Sequence, residues 1–378
     1  MKRLKILNLS HTKANIDVAR LISENNLKLD QLDLQGCTQM FEYCIELITD
    51  SVKDTIQYID IFFVKISQEL TEKILLNCKR LLYFHVNNLA DAIHCLHKNS
   101  VENLKLNKLN IDSDTILKEE LLNSIEKMCP NTFSLNLNCT SYRSVLKSIG
   151  NFKYLNELLL ANQDCMISFQ FDEHLLEGLR NSIGKQLKLL HLVHIKDVNL
   201  KSIAKYCSNL VCLNVEFLDY YTPAKDNYGE YDENNNKIYR DYTINSLRSL
   251  TIINNSIKEG IFHSNIGQLK QDLTLLLNNA RVTSLELKGL NELDDEYFQS
   301  VFSTKDKRGY FLHQHIVNLT LNQMKNISGC LILNFFLSSI NSLKYLSLID
   351  CKKISKAEWF KFNKIVKMNQ FDCEIKWT

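Results

Sequence analysis

The sequence predicts an α/β solenoid, with a parallel sheet on a concave face and helices on a convex face, built by stacking short strand–helix units. Three observations lead there. A six-residue apolar phrase recurs along the whole chain, and the stretches between copies carry apolar residues at helical spacing. Only two prolines, Pro130 and Pro223, and ten glycines interrupt 378 residues, so regular elements with few sharp turns are expected. With 45% hydrophobic and 23% charged residues the chain has enough apolar surface to bury a core. In a repeat array each unit packs only on its neighbours, so this length does not require several globular domains. Residues 1–378 are expected to form one solenoid.

In Leu4-Lys-Ile-Leu7-Asn-Leu9, apolar residues stand at positions 1, 4 and 6. The same spacing starts again at Leu29, Ile56, Leu81, Val101, Leu155, Leu187, Leu210, Leu247, Val282, Ile316 and Leu343, with a weaker copy at Thr132. That makes about 13 repeats with a mean step of about 28 residues, the period of a leucine-rich repeat. Positions 4 and 6 lie on the same side of a strand and point into the buried layer, while position 1 closes its edge. Segments such as Val18–Ile22, Ser67–Leu76 and Ser144–Ile149 have apolar residues at helical spacing and are expected to return the chain along the outside. Neither a lone strand nor a lone helix buries its apolar side, so the units must stack. The expected form is a leucine-rich-repeat horseshoe with an inner arc of about 60 Å. Phe371-Asp-Cys373-Glu-Ile375-Lys-Trp377 is expected to add a last strand, making 371–378 a terminal cap after a helix from Lys356 to Met368.

Charge and chemistry narrow the function classes. Lys and Arg total 45 against 43 acidic residues, and a net charge of +2 supplies no global field for nucleic acid or an anionic membrane. Neither is an expected partner. The N-terminus has no signal-peptide apolar run, and no stretch approaches the roughly 18–20 apolar residues of a membrane span. A cytoplasmic chain, or a nuclear one, is expected, with its twelve cysteines reduced. The sequons at Asn8, Asn138, Asn254, Asn318 and Asn326 then read as chance. No Gly-x-Gly-x-x-Gly, phosphate loop or His-Glu-x-x-His occurs. His94-Cys95-His97 and the pair His313 and His315 supply no four-ligand metal set. No cofactor, metal or catalytic activity is expected.

Several units resemble the cysteine-containing repeat of the F-box leucine-rich-repeat proteins, in which a helix runs into Cys-x-x-Leu-x-x-Leu-x-Leu and then Cys-x-x-Ile-Ser/Thr. Asn77-Cys78-Lys-Arg-Leu81, Met128-Cys129-Pro130-Asn131 and Tyr206-Cys207-Ser-Asn-Leu210 resemble its helix end. Leu34-Gln-Gly-Cys37 and Leu348-Ile-Asp-Cys351-Lys-Lys-Ile354-Ser355 resemble its turn, where only Cys37, Cys351 and Asn255 fit the pattern. The resemblance implies a protein-protein interaction module, the substrate-recognition part of an SCF-type ubiquitin ligase subunit. In that family an N-terminal F-box, typically opening with Leu-Pro, docks on an adaptor. Here the first unit starts at Leu4 and neither proline follows a leucine. An SCF adaptor would thus be reached only through an F-box missing from this sequence, which is expected to be a fragment or to have its first strand covered by another chain. The alternative is a stand-alone leucine-rich-repeat scaffold or inhibitor, of the ribonuclease-inhibitor kind, with no link to ubiquitination.

Positions 3, 5 and 7 of each unit face the concave surface. Most are small or polar, as in Asn103, Lys105 and Asn107, in Ser134, Asn136 and Asn138, and in Asn318, Thr320 and Asn322. Units three and four differ, presenting Tyr58, Asp60 and Phe62 beside Tyr83, His85 and Asn87, an aromatic patch with polar handles of the sort that anchors interfaces. A register shift of one residue would instead make these core aromatics. The second candidate is an insertion at 219–242, with Tyr220, Tyr221, Tyr228 and Tyr231 among its six tyrosines and six acidic residues against three basic ones. Tyrosine-rich insertions in repeat arrays favour contact, and a solvated excursion is the alternative.

Overall fold

The structure is a computed structural model that describes residues 4–141, 147–162, 171, 173–195, 198–217, 230–231, 237–238, 244–255, 266–303, 311, 314–338, 342–368, 370 and 372–378. The chain divides into two compact units, Met1–Asp164 with Glu177–Ile183, and Cys165–Leu176 with Gly184–Thr378.

In the first unit, strands β1 (Ile6–Asn8), β2 (Gln31–Asp33), β3 (Tyr58–Asp60), β4 (Tyr83–His85), β5 (Lys108–Leu117), β6 (Ser134–Ser141) and β7 (Glu157–Ala161) pair in parallel, each with its neighbour in sequence. Helices α1 (Ile16–Glu24), α2 (Glu42–Val52), α3 (Gln68–Asn77), α4 (Leu89–Lys98) and α5 (Glu119–Met128) join the first six, and a 3₁₀ turn, Ile149–Asn151, precedes β7. Between β7 and the next strand lie α6 (Glu173–Gly178) and a π-helical turn, Leu179–Ile183. In the second unit, β8 (Leu189–Val193), β9 (Cys212–Phe217), β12 (Ser249–Asn254), β13 (Ser284–Lys288), β14 (Asn318–Asn322), β15 (Tyr345–Ile349) and β16 (Glu374–Trp377) pair in the same way. Helices α7 (Leu200–Tyr206), α8 (Ile266–Asn279), α9 (Asp295–Ser303), α10 (Gly329–Ser338) and α11 (Lys356–Met368) lie between its strands, and a short antiparallel pair, β10 (Glu230–Tyr231) and β11 (Lys237–Ile238), falls within 219–242. Each unit thus holds seven parallel strands of a leucine-rich-repeat solenoid.

Position 4 of the phrase builds the core. Leu32, Ile59, Phe84, Leu109, Leu135 and Leu158 stand in register in the first unit, and Leu190, Leu213, Leu250, Leu285, Leu319 and Leu346 in the second, none more than 1% exposed. Burying each such side chain is worth roughly 1.5–3 kcal/mol. A single unit offers its layer residue no partner, so neighbouring rows supply one another's burial.

The fifth strand corrects the sequence reading. Val101–Asn107 forms no strand, and the working phrase is Leu106-Asn-Lys-Leu109-Asn-Ile111, with Leu109 and Ile111 at 0% and 1% exposure. Two overlapping phrases compete here, and only the second keeps step with its neighbours, pairing Tyr83 with Lys108 and Phe84 with Leu109. Val101 and Leu104 instead help wall a cavity of about 310 Å³ with Leu75 and Leu81. The face residues of this unit are therefore Lys108, Asn110 and Asp112, not Asn103, Lys105 and Asn107.

A turn into the left-handed backbone region follows the strands, two residues beyond position 6. It falls on His11, Gly36 and Phe63 in the first unit and on His194, Gly289, Gln323 and Asp350 in the second. Glycine suits it best: at Gly289, φ is +67° and an added Cβ would collide with the Asn254 carbonyl oxygen. The helix-end cysteines share one geometry. Cys78, Cys129 and Cys207 cap α3, α5 and α7, their N–H groups donating to the carbonyls of Ile74, Ile125 and Ile203. Burial pushes the Cys78 and Cys207 thiols up to about 12, so they stay protonated and inert. The turn cysteines Cys37 and Cys351 donate from Sγ to the carbonyls of Leu9 and Leu321 one repeat earlier, at 3.0 and 3.4 Å.

Candidate functional site

Alternation along β3, β4 and β5 turns Tyr58 and Asp60, Tyr83 and His85, and Lys108, Asn110 and Asp112 to the face away from the buried layer. Parallel pairing sets Tyr58 beside Tyr83 and Asp60 beside His85. The structure thereby brings Tyr58, Asp60, Phe62, Tyr83 and His85 into one cluster. The two tyrosine rings stack at 4.2 Å and 11°, and Phe62 stacks on the His85 imidazole at 4.3 Å and 9°.

His85 is held between two carboxylates. Its Nδ1 lies 3.1 Å from Asp60 Oδ2 and its Nε2 2.6 Å from Asp112 Oδ2. An ionised carboxylate only accepts, and a neutral imidazole has a single N–H, so a ring bonded on both sides is the imidazolium. Burial alone would lower its pKa, but the hydrogen bonds and charges of Asp112 and Asp60 outweigh that and raise it to about 9. Asp60 also accepts from the Tyr83 hydroxyl at 3.3 Å and, through Oδ1, from the Phe62 backbone N–H at 3.1 Å. Asn110 Nδ2 donates to the Tyr83 hydroxyl at 2.8 Å, and Lys108 Nζ sits 5.8 Å from the Tyr83 ring centre. Burial, with the Asp60 charge, pushes the Tyr58 and Tyr83 phenols up and keeps them neutral.

The polar members are used internally: Asp60, Tyr83 and His85 are all buried. What faces outward is a set of aromatic rings beside the exposed Lys108 and Asn87. Tyr58 and Phe62 are half-buried, and Phe63 is 58% exposed with its N–H donating to Asn87 Oδ1 at 3.1 Å. Phe63 also has φ +66°, at the turn position that Gly36 fills one repeat earlier. The result is a rigid, charge-clamped floor under a small aromatic surface.

Asp112, Asn110 and Phe63 were not singled out from sequence. The first two were hidden by the misplaced fifth phrase, and an even period would have exposed them: Leu106 follows Leu81 by 25 residues and precedes Thr132 by 26. Aligning Leu34-Gln-Gly36 with Ile61-Phe-Phe63 would have marked Phe63 as the bulky residue in a glycine position. Of the insertion candidates, Tyr220, Tyr221 and Tyr228 lie outside the described residues, and Tyr231 sits in β10, opposite Lys237. His94 and His97 of α4 share the Ser124 hydroxyl of α5, at 2.8 and 3.2 Å. Among the described residues no group of three His, Cys, Asp or Glu side chains is placed to hold a metal ion.

No protein-family model matches the chain, and no curated protein matches it in sequence. Solved structures similar to it include the following. One is the yeast Rad7–Elc1 complex, at 16% identity and a TM-score of 0.43, covering 78% of both chains. Another is the mouse RP105/MD-1 complex, at 14% identity and 0.38, covering 99% of this chain and 71% of the other. The third is a leucine-rich-repeat protein of Leptospira interrogans, at 15% identity and 0.34, covering 99% and 96%. On its own strands, turns and stacked apolar layer, the chain has the leucine-rich-repeat fold.

Proposed function

We propose that the chain is a non-catalytic protein-binding scaffold that takes a protein partner on the strand face of its first unit, at Tyr58, Phe62 and Phe63. The observation that carries this reading is Phe63, a large apolar side chain 58% exposed at φ +66°. A bulky residue in that backbone region costs on the order of 1 kcal/mol or more, and an exposed ring returns little of it through burial. The glycine at position 36 meets the same turn without strain, so folding alone gives no reason for phenylalanine. Exposed aromatics over a pre-ordered floor make efficient interface anchors, because little side-chain freedom is lost on binding. With both imidazolium nitrogens occupied by Asp60 and Asp112, His85 has no free lone pair to act as a base, which supports the binding reading.

The finer reading is substrate recognition for an F-box-type ubiquitin ligase. It is supported by the three cysteine-capped helix ends and by the Cys37 and Cys351 turns. Reduced cysteines suit work in the cytoplasm or nucleus, and ten of the twelve cysteines are described as free thiols. The second reading, a stand-alone scaffold or inhibitor, is favoured by gaps in the thiol ladder, as where Val64 stands at the Cys37 position of the next repeat. The test is quantitative affinity purification of the wild type and of a Phe62→Ser, Phe63→Ser variant. Loss of the wild type's stoichiometric partner is the expected result, and a partner retained equally by both overturns the assignment. Co-recovery of an adaptor and cullin supports the ligase reading, and a one-to-one complex without them supports the scaffold.

A further inference from the structure

The last helix carries a different surface. We propose that α11 is an interfacial helix whose outward face attaches the protein to an anionic bilayer surface, independently of the strand-face site.

Its start is fixed by reciprocal capping: the Ser355 N–H donates to Glu358 Oε2 at 2.8 Å, and the Glu358 N–H donates to Ser355 Oγ at 3.3 Å. Its inner side is docked, with Phe362 1% exposed and the Trp359 ring stacked on Trp377 of β16 at 6.0 Å. The outer side is left to solvent. Lys356, Lys361, Lys364 and Lys367 are exposed along it, with Lys352 and Lys353 exposed in the turn before. Between the lysines stand Phe360, 55% exposed, and Met368, 72% exposed. Residues 356, 360, 364, 367 and 368 recur at helical spacing and share one stripe. The helix has 13 residues, so the stripe is about 20 Å long.

Charge selects the partner's sign. Residues 351–368 hold six lysines against one acidic residue, Glu358, which the cap engages. Among the described residues none of the six lysines is held in an ion pair. The expectation of no membrane partner rested on a whole-chain charge of +2, which averages this face away. The kind of charge narrows the class further. No arginine follows Arg308, so the fork that reads phosphates two bonds at a time is missing and the attraction is that of compact point charges. Phe360 and Met368, two turns apart among the lysines, match a layer that is anionic outside and apolar beneath. A nucleic-acid backbone offers Met368 nothing. No described helix is long and apolar enough to span a membrane, so the attachment proposed lies on the surface.

The test is co-sedimentation of the full chain with phosphatidylcholine vesicles, with and without phosphatidylserine. Binding is expected only with phosphatidylserine, falling about fivefold for each of Lys356, Lys361, Lys364 and Lys367 replaced by Gln. It should also fall several-fold for Phe360→Ser with Met368→Ser, at unchanged charge. These positions are exposed, so melting curves of the variants should match the wild type and exclude misfolding. No binding to the phosphatidylserine vesicles, or binding indifferent to either set of changes, overturns the proposal. So does lysine-dependent capture of polyglutamate or duplex DNA by a chain that ignores the vesicles. The Phe62 and Phe63 variant should bind vesicles like the wild type, which separates failure here from failure of the strand-face reading.

Discussion

Replacing His85 with Gln probes the floor of the candidate site through its charge. In the fold the imidazole pKa rises from 6.5 to about 9, because Asp60 and Asp112 bond both of its nitrogens. Each pKa unit is worth about 1.4 kcal/mol, so the clamp contributes roughly 3 kcal/mol to the first unit. The folded state holds this proton more tightly than the unfolded chain. The contribution is therefore complete below about pH 6.5 and is lost as the pH rises through about 9. Gln is uncharged and leaves two carboxylates facing each other, so the variant should melt about 6–12 °C lower near neutral pH, with the gap narrowing toward about pH 10. Circular-dichroism melts across that range supply the stability difference, and the imidazole ¹H shifts of His85 supply its titration midpoint. A midpoint near 6.5, or a melting difference between wild type and variant that does not change with pH, would refute the clamp.

Four further outcomes follow from particular contacts. Asp112→Asn should move the His85 midpoint down toward its ordinary value by removing one of the two acceptors, read in the same titration; no change would mean that β5 is not in the register described. Phe63→Gly should leave the first unit as stable or up to about 1 kcal/mol more stable in denaturant melts, while abolishing partner capture. Gly289→Ala should destabilise the second unit by roughly 2 kcal/mol, since the new methyl meets the Asn254 carbonyl at a backbone angle of +67°. In timed thiol labelling mapped by mass spectrometry, exposed Cys330 should react first, and buried Cys78, Cys129 and Cys207 only on unfolding.

The strands were legible because the solenoid repeats one physical requirement. Each unit needs apolar residues at positions 4 and 6, and Leu32, Ile59 and Leu135 satisfy it visibly in sequence. The fifth unit failed where the chain offers two phrases in succession, Val101 to Leu106 and Leu106 to Ile111. Local pattern cannot choose between them; hydrogen-bond pairing with β4 does. That slip of five residues hid Asp112, and with it the reason His85 is buried and charged. The clustering of the aromatics was readable from position, since Tyr58, Phe62 and Tyr83 sit at positions 3 and 7 of neighbouring units; that Tyr83 is buried there was not. Which polar groups look inward was not readable, because it depends on side chains of three strands meeting. Phe63 needs a backbone angle to be noticed, and the lysine stripe of α11 needs to be seen apart from a balanced total charge.

The central claim is that a protein partner docks on Tyr58, Phe62 and Phe63. Its most direct measurement is site-specific photocrosslinking, with p-benzoylphenylalanine in place of Phe63 and, as a comparison, in place of Leu21, an exposed residue on α1. Discrete adducts from position 63, absent from position 21 and suppressed by Phe62→Ser, are the predicted result. Adducts from position 21 alone, or the same adducts from both positions, would contradict the account.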